Sequence, residues 1–578
     1  MWFSGGHRQL LRGLLYIGGA CVASYWVSSL LHGFFMRREY ARRRERKRLE
    51  KAAAKRAFEN YLNKHPMPEE DIAKITSKPF LELVHMLKSG QLTPEQVLLA
   101  YQHKAFEVDT RCNCVVEFLY PDFSEINLNG PFCGLPISLK DNYSIKGCES
   151  HAGMACYLTG PADRDSVMVT VLKSLGAVPF VRTGVPQAML SVLSSNPIDG
   201  TVLNPLDLSR SPGGSSSGEA ALVGGGGSIL GFGTDLGGSI RLPAAMCNCV
   251  GFKPTPSRLS KRLMLSTNRF MTTDSCCGPI AREVDACITI MKALFDSPLH
   301  RELDYFGAPL CYSTNISTDR RLRIGYFFDD GSTPPVPAAQ RAVLVVKDKL
   351  AALGHELVPW QPPVKGIEWL TMFLTTLLTD GGMPLVQALR YDVVEPSLKK
   401  GLKIYEAWWI TRYFQRFVAR LLGRQTDLSL IQACCAVHDI PSLMQHLEDL
   451  KAFRQQIYDH WNEERIDAVI CPAFGMAAPI SAKSNKKFTE MLTYLNLFNV
   501  ANMPAGCLPS GISVDENDIK ALKNSVSSSG TGSLWSKDVI ELQADTLGFR
   551  VSVQVAAAPW RDEICLHVMK EVEKAVRS

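Results

Sequence analysis

The chain has 578 residues, 46% hydrophobic and 21% charged, with a formal net charge of +6. That composition excludes a disordered, collagen-like or disulfide-stapled chain and fits a globular body with a sizeable core. The positive balance does not mark a nucleic-acid binder, because Arg37 to Arg56 alone holds 11 basic and 3 acidic residues and leaves the remainder slightly acidic. A nucleic-acid surface needs its basic charge on the folded body.

Gly13 to Met36 is a run of 24 residues without a formal charge. About 20 apolar residues span a bilayer, so residues 1–36 read as an N-terminal membrane anchor, a transmembrane helix. Glycines, serines and His32 dilute the run, and a cleaved signal peptide is the competing reading, but no A-x-A-like cleavage site follows it. The basic run follows instead and reads, over 37–74, as a juxtamembrane helix or linker. Basic residues stay on the cytosolic side, which places the body, 75–578, in the cytosol. The 17 cysteines have neither a disulfide framework nor paired C-x-x-C spacing, which agrees with a reducing compartment. In that compartment the glycosylation patterns at Asn142-Tyr143-Ser144 and Asn315-Ile316-Ser317 stay unmodified.

Further along, G-L-P-I-S-L-K-D from Gly134 is an apolar run that ends in Lys140 and reads as a buried strand. A lone lysine at a strand end is usually solvated. Residues 166–177 followed by 178–183, and 342–355 followed by 356–360, alternate helix with short strand, the pattern of an α/β body around a mixed sheet. No Pro/Gly/Ser-rich linker divides residues 75–578, so they read as one domain.

Gly213 to Pro243 is the densest signal, G-G-S-S-S-G-E near its start and D-L-G-G-S-I-R-L-P at its end. Glycines at this density mark backbone that turns tightly or approaches a ligand. Backbone N–H groups beside a serine are what acyl transfer requires, a nucleophile and donors for an oxyanion. No G-x-x-x-x-G-K-[ST] phosphate loop is present, none of the 12 histidines lies in the segment, and Ser239 is not in a G-x-S-x-G elbow. Ser397 to Arg424 carries Ile410, Tyr413, Phe414, Phe417, Val418, Leu421 and Leu422 at helical spacing, bordered by Arg412, Arg416, Arg420 and Arg424. This stripe fits a helix lying in the headgroup region equally with one packed on the core. Asn524 to Ser536 reads as an exposed loop.

The 213–243 pattern, coupled to the lysine of G-L-P-I-S-L-K-D, resembles the amidase signature family of serine hydrolases with a Ser-Ser-Lys triad, and the likeness runs from about residue 75 to the C-terminus. Within the family the chain is most similar to the fatty acid amide hydrolase branch. V-P-F-V-R-T-G-V-P-Q-A-M from Val178, S-N-P-I-D-G-T-V-L-N-P from Ser195, L-P-A-A-M-C-N-C-V-G-F-K-P-T from Leu242 and V-S-V-Q-V-A-A-A-P-W-R-D-E-I-C-L from Val551 carry that likeness. Ser217 stands where the branch has glycine, and Asn502-Met503 where it has Asp-Phe.

The resemblance implies an α/β amidase signature fold, a central mixed sheet surrounded by helices. It implies Lys140 as general base, Ser215 as bridging serine, Ser239 as nucleophile, and an oxyanion held by the N–H groups of Leu236, Gly237, Gly238 and Ser239. Met189 and Ser215 are expected to touch substrate, with Leu190 and Phe417 on the acyl channel and 397–424 as a membrane-facing cap. No metal or organic cofactor is expected. Partners are lipid amide substrates and membrane lipids, with a homodimer on the endoplasmic reticulum, or alternatively the mitochondrial membrane. Two other readings stand beside this one: an amidase of the family acting on another lipid amide or ester, and a non-catalytic membrane scaffold. Retention of all three triad residues opposes the scaffold. A lysine can be the base only when neutral, which requires burial or nearby positive charge. The apolar run before Lys140 supplies burial, while Asp141 opposes it unless its carboxylate points elsewhere.

Overall fold

The computed structural model describes residues 4–266, 275–314, 320–332, 334–422, 424–481, 489–528, 534–543 and 545–577. An 11-stranded sheet forms its centre. In chain order the strands are β1 (Val115–Phe118), β2 (Leu135–Lys140), β3 (Ala177–Thr183), β4 (Leu230–Asp235), β5 (Val250–Lys253), β6 (Cys276–Ala281), β7 (Arg323–Tyr326), β8 (Glu356–Pro359), β9 (Ala468–Pro472), β10 (Ala505–Ser513) and β11 (Arg550–Ala557). Across the sheet they run β1-β3-β2-β4-β6-β5-β10-β11-β9-β7-β8. The sheet is mixed: β3-β2-β4 and β9-β7-β8 are parallel and the remaining pairs antiparallel.

Every residue of β2, β3 and β4 is buried. Strands covered on both faces read as continuous apolar runs, which is why G-L-P-I-S-L was legible as a strand. Strands β2 and β4 pair in parallel with Ser138 opposite Gly231 and Leu139 opposite Phe232, so their carboxyl ends, Lys140 and Thr234-Asp235, emerge together. Crevices at the carboxyl ends of parallel strands are the usual ligand sites of α/β sheets.

The helices that matter for the site are α1 (Ser4–Lys64), α2 (Ser217–Gly224), α3 (Arg241–Met246), α4 (Gly366–Leu377), α5 (Trp409–Leu421) and α6 (Thr493–Val500). The boundary expected between residues 36 and 37 falls inside α1, a single helix of 61 residues. No helix among the described residues is long and apolar enough to cross a membrane. Of the uncharged run, the side chains at 13, 14, 18, 19 and 22 lie outside the described residues, so the expected span is left untested there. Its side chains nevertheless face outward: Tyr16, Tyr25, Trp26, Leu30, Leu31, Phe34 and Phe35 are all exposed.

The basic run is no free linker. Arg44 pairs with Asp392, Arg46 and Lys47 with Glu149 at 3.0 and 3.5 Å, Lys51 with Asp199 at 3.4 Å, and Lys55 with Asp109. All four of these acids are nearly or fully buried. The last turns of α1 enter the core, where Phe58 stacks on Phe118 with ring centroids 4.1 Å apart.

The ends of the 524–536 segment are not the loop its Ser/Gly content predicts: helices cover Glu516–Ser528 and Leu534–Gln543, and residues 529–533 lie outside the described residues. Asn142 and Tyr143 are buried, so the first glycosylation pattern is inaccessible in the folded chain; the second, at Asn315, also lies outside the described residues.

Candidate active site

Lys140 ends β2 completely buried. Its Nζ donates to Ser215 Oγ at 2.8 Å and to Thr234 Oγ1 at 2.9 Å. Burial depresses its pKa from 10.5 to about 7 against the opposing pull chiefly of the Asp235 carboxylate. The neighbouring Asp141 does point elsewhere: its carboxylate accepts from Arg182 Nη2 at 2.8 Å and from the Ala152 and His151 N–H groups at 2.7 and 3.1 Å. A lysine so placed is uncharged for much of the time near neutral pH, which is the condition for acting as a base.

Ser215 and Ser239 come from two segments that the backbone fastens together, the Ser216 N–H donating to the Ser239 carbonyl at 3.1 Å. Two glycines make the approach possible. A Cβ on Gly214 would meet the Ser191 carbonyl at 2.6 Å, and Gly213 holds φ at +76°, a left-handed value that favours glycine. The Gly214–Ser215 peptide is cis. Met189, Leu190, Ser215, Thr234, Leu236 and Ser239 line one cavity of about 120 Å³, together with Asn142, Lys261 and Met264. Thus Ser215, Ser239, Met189 and Leu190 share one space, and Lys140 reaches it through its bond to Ser215. Phe417 does not join them; it lies on α5 with its ring 56% exposed.

The turn from Leu236 to Ser239 is held by a network the motif did not announce. Buried Asp235 accepts from the Gly238 N–H at 2.8 Å, the Ile240 N–H at 3.2 Å, Arg241 Nε at 3.0 Å and Asn499 Nδ2 at 2.9 Å. Burial pushes this carboxyl up, and the charge and hydrogen bonds of Arg241 more than reverse it, leaving it far below the usual carboxylate range. Arg241 in turn donates to the Leu495 carbonyl, Gln554 Oε1 and Asn499 Oδ1. Gly237 and Gly238 lie against Phe373 of α4 and Leu495 of α6, each closer than a Cβ would allow. Because the Gly238 N–H is bonded to Asp235, the four expected oxyanion donors reduce here to those of Leu236, Gly237 and Ser239.

Sequence reasoning passed over Thr234, Asp235, Arg241 and the buried Glu219, although all lie within or beside the quoted motif. The signal for Glu219, Asp235 and Arg241 was charge inside an otherwise apolar and glycine-rich stretch; Thr234 had none. At Ser217, where glycine was expected, the hydroxyl is buried without a hydrogen-bond partner, an arrangement that costs about 1–3 kcal/mol.

A family profile described as "Amidase" matches residues 96–566. The chain belongs to the amidase family. It is 35% identical over 547 residues to fatty-acid amide hydrolase 1 of Sus scrofa, covering 92% of this chain and 91% of that protein. To fatty acid amide hydrolase 1 of Caenorhabditis elegans it is 31% identical over 517 residues, covering 87% and 89%. A solved structure described as "Fatty acid amide hydrolase" superposes with a TM-score of 0.78 at 24% identity, over 94% of this chain and 96% of that one, a likeness of fold. This amidase is therefore a hydrolase of the amidase family close to the fatty acid amide hydrolases, built on the α/β fold expected of it.

Proposed function

We propose that this amidase hydrolyses fatty acid primary amides and N-acylethanolamines through the triad Lys140, Ser215 and Ser239. The observation that carries the reading is the buried Lys140 amine bonded to Ser215 Oγ at the wall of the cavity that Ser239 also lines. Neutral Lys140 takes the Ser239 proton by way of Ser215 as Ser239 Oγ attacks the carbonyl carbon. The oxyanion is held by the N–H groups of Leu236, Gly237 and Ser239; such donors are worth about 3–4 kcal/mol each. Ser215 returns the proton to the departing nitrogen, and water then cleaves the acyl-enzyme. The lipid class rests on the two fatty acid amide hydrolases that match over most of their length and on Met189 and Leu190 beside the nucleophile.

A fluorophosphonate probe is expected to label Ser239 alone, as mapped by peptide mass. A panel of lipid amides, lipid esters and short soluble amides is expected to give the highest kcat/KM with long-chain amides. Absence of labelling favours a scaffold, and preference for esters favours a different acyl substrate.

Membrane attachment is the second part of the proposal. Its support is the outward-facing apolar surface of α5, where Tyr413, Phe414 and Leu421 are 75%, 65% and 70% exposed, since large exposed apolar patches mark interaction or membrane sites. Arg412 is folded inward onto the carbonyls of Ile404, Tyr405 and Cys434, and Arg416 and Arg420 remain at the rim. The apolar side chains of α1 are a second exposed surface, with His32 edge-on to Tyr391 at 5.7 Å between ring centroids. Phe417→Glu is expected to reduce vesicle binding and raise KM for long-chain amides with little change in kcat, while short soluble amides are unaffected. Equal losses on short and long amides would assign the face to packing instead.

A further inference from the structure

Glu219 lies in the first turn of α2, fully buried, with no function assigned to it so far. Its Oε1 is 2.6 Å from Thr183 Oγ1 and its Oε2 is 2.6 Å from Ser138 Oγ. Ser138 Oγ is also 3.0 Å from Ser228 Oγ, which donates to the Leu230 carbonyl at 2.9 Å. The niche is built for the carboxyl: a Cβ on Gly231, which faces Ser138 across the β2-β4 pair, would fall 1.9 Å from Glu219 Oε2.

The charges around it are accounted for. Asp141 is ion-paired with Arg182 from β3, and Arg182 also pairs with Glu117 at 2.8 Å. Asp235 at the end of β4 is ion-paired with Arg241 at 3.0 Å, Lys253 of β5 donates to the Pro254 carbonyl, and Asp109 on the helix behind α2 is paired with Lys55. Burial pushes the Cys277 thiol of β6 up to about 12, and the Tyr143 hydroxyl, which donates to the Gly233 carbonyl, upward as well, so both are neutral. Among the described residues Glu219 has hydroxyl partners only and no cation within ion-pair distance; the charge that acts on it is Lys140, whose pull is smaller than the effect of burial. A buried carboxylate without a cation is strongly disfavoured, and the group neutralises instead. The hydroxyl chain suits the neutral acid: Glu219 donates to Ser138, Ser138 to Ser228 and Ser228 to the Leu230 carbonyl, while Thr183 donates to the other carboxyl oxygen.

We propose that Glu219 is held as a neutral carboxylic acid and acts as a positioning residue through Lys140, because its lack of charge leaves the lysine free to lose its proton. An ionised carboxylate at this place would stabilise the ammonium form and draw the base out of the working range. Burial raises the Glu219 pKa to about 8, in agreement with the geometry. The proposal rests on Lys140 being the base.

The test compares pH profiles of kcat/KM on a soluble amide. Glu219→Ala is expected to lose at least about tenfold, by unpairing two hydroxyls and loosening the site. Glu219→Gln, which carries one donor and one acceptor to the same hydroxyls, is expected to recover most of that loss with its acid limb within about 0.3 unit of the wild type. A shift of that limb to lower pH by about a unit or more would show that a negative charge had been removed, and would overturn the proposal. A second arm needs no variant: in wild-type protein with 13C-labelled glutamate carboxyls, one carboxyl is expected to titrate near pH 8. Should every glutamate carboxyl be ionised by about pH 6, the neutral acid is excluded. That arm also separates the two readings, since near-normal activity of a lysine-deleted enzyme would remove the base while leaving the titration of Glu219 to be read by itself.

Discussion

Ser239→Ala is expected to abolish amide hydrolysis and probe labelling while leaving the melting curve in place, because it deletes one hydroxyl from a half-buried site. Loss of a nucleophile of this kind is on the order of 10⁶-fold in kcat. Lys140→Ala is expected to lower kcat/KM by about 10²–10⁴-fold, the range of a general base. Its pH profile separates it from a structural defect. Lys140 works when deprotonated and its pKa is lowered to about 7, so wild-type activity falls as pH drops through that value and levels off above it. Without the amine, hydroxide must take the serine proton, and the rate continues to rise with pH beyond the wild-type plateau. A Lys140→Ala enzyme with near-normal activity at neutral pH and an unchanged acid limb would remove lysine from the base role.

The second large effect is expected at Arg241, which touches neither cavity nor substrate. Arg241→Ala leaves Asp235 buried and without its cation, and breaking a buried pair on one side costs about 3–5 kcal/mol. Urea unfolding is expected to show that loss as a lower midpoint. The turn carrying the oxyanion donors is tied to the same carboxylate through Gly238 and Ile240, so kcat is expected to fall even where the variant is folded. Replacing Asp235 by asparagine in the Arg241→Ala background removes the stranded charge and is expected to restore part of the stability, with activity still low. A midpoint unchanged in Arg241→Ala would show that the pair carries no weight in the fold.

The central strands were legible because both faces of β2, β3 and β4 are covered, so burial is written as unbroken apolar sequence. The serine and lysine positions were legible because glycines mark where backbone must come close. What was not legible is whatever depends on a partner far along the chain. Arg241 is explained by Leu495, Asn499 and Gln554, more than 250 residues away. The basic run reads from sequence as a juxtamembrane helix or linker because its acids, Glu149, Asp199 and Asp392, lie in segments that no local pattern connects to it. The stripe on α5 stood balanced between lipid and core at the sequence level; that its Tyr413, Phe414 and Leu421 are exposed depends on which neighbours pack against the helix, and no local pattern records that. At 524–536, composition argued for a loop, and helix takes most of it nonetheless, since propensity is a weak prior against tertiary context.

The docking of α1 also determines how the enzyme can search for substrate. A flexible tether would let the body sweep a volume around its attachment point, facing the surface only part of the time. A continuous helix fixed by ion pairs at Arg44, Lys47 and Lys51 and by a ring stack at Phe58 acts as a strut. Met36, where the uncharged run ends, lies eight residues before Arg44, about 12 Å along a helix at 1.5 Å per residue. On the proposed membrane attachment, height and tilt above the surface would thereby be set by the fold, and encounter with a lipid substrate would be a lateral search in two dimensions at constant orientation.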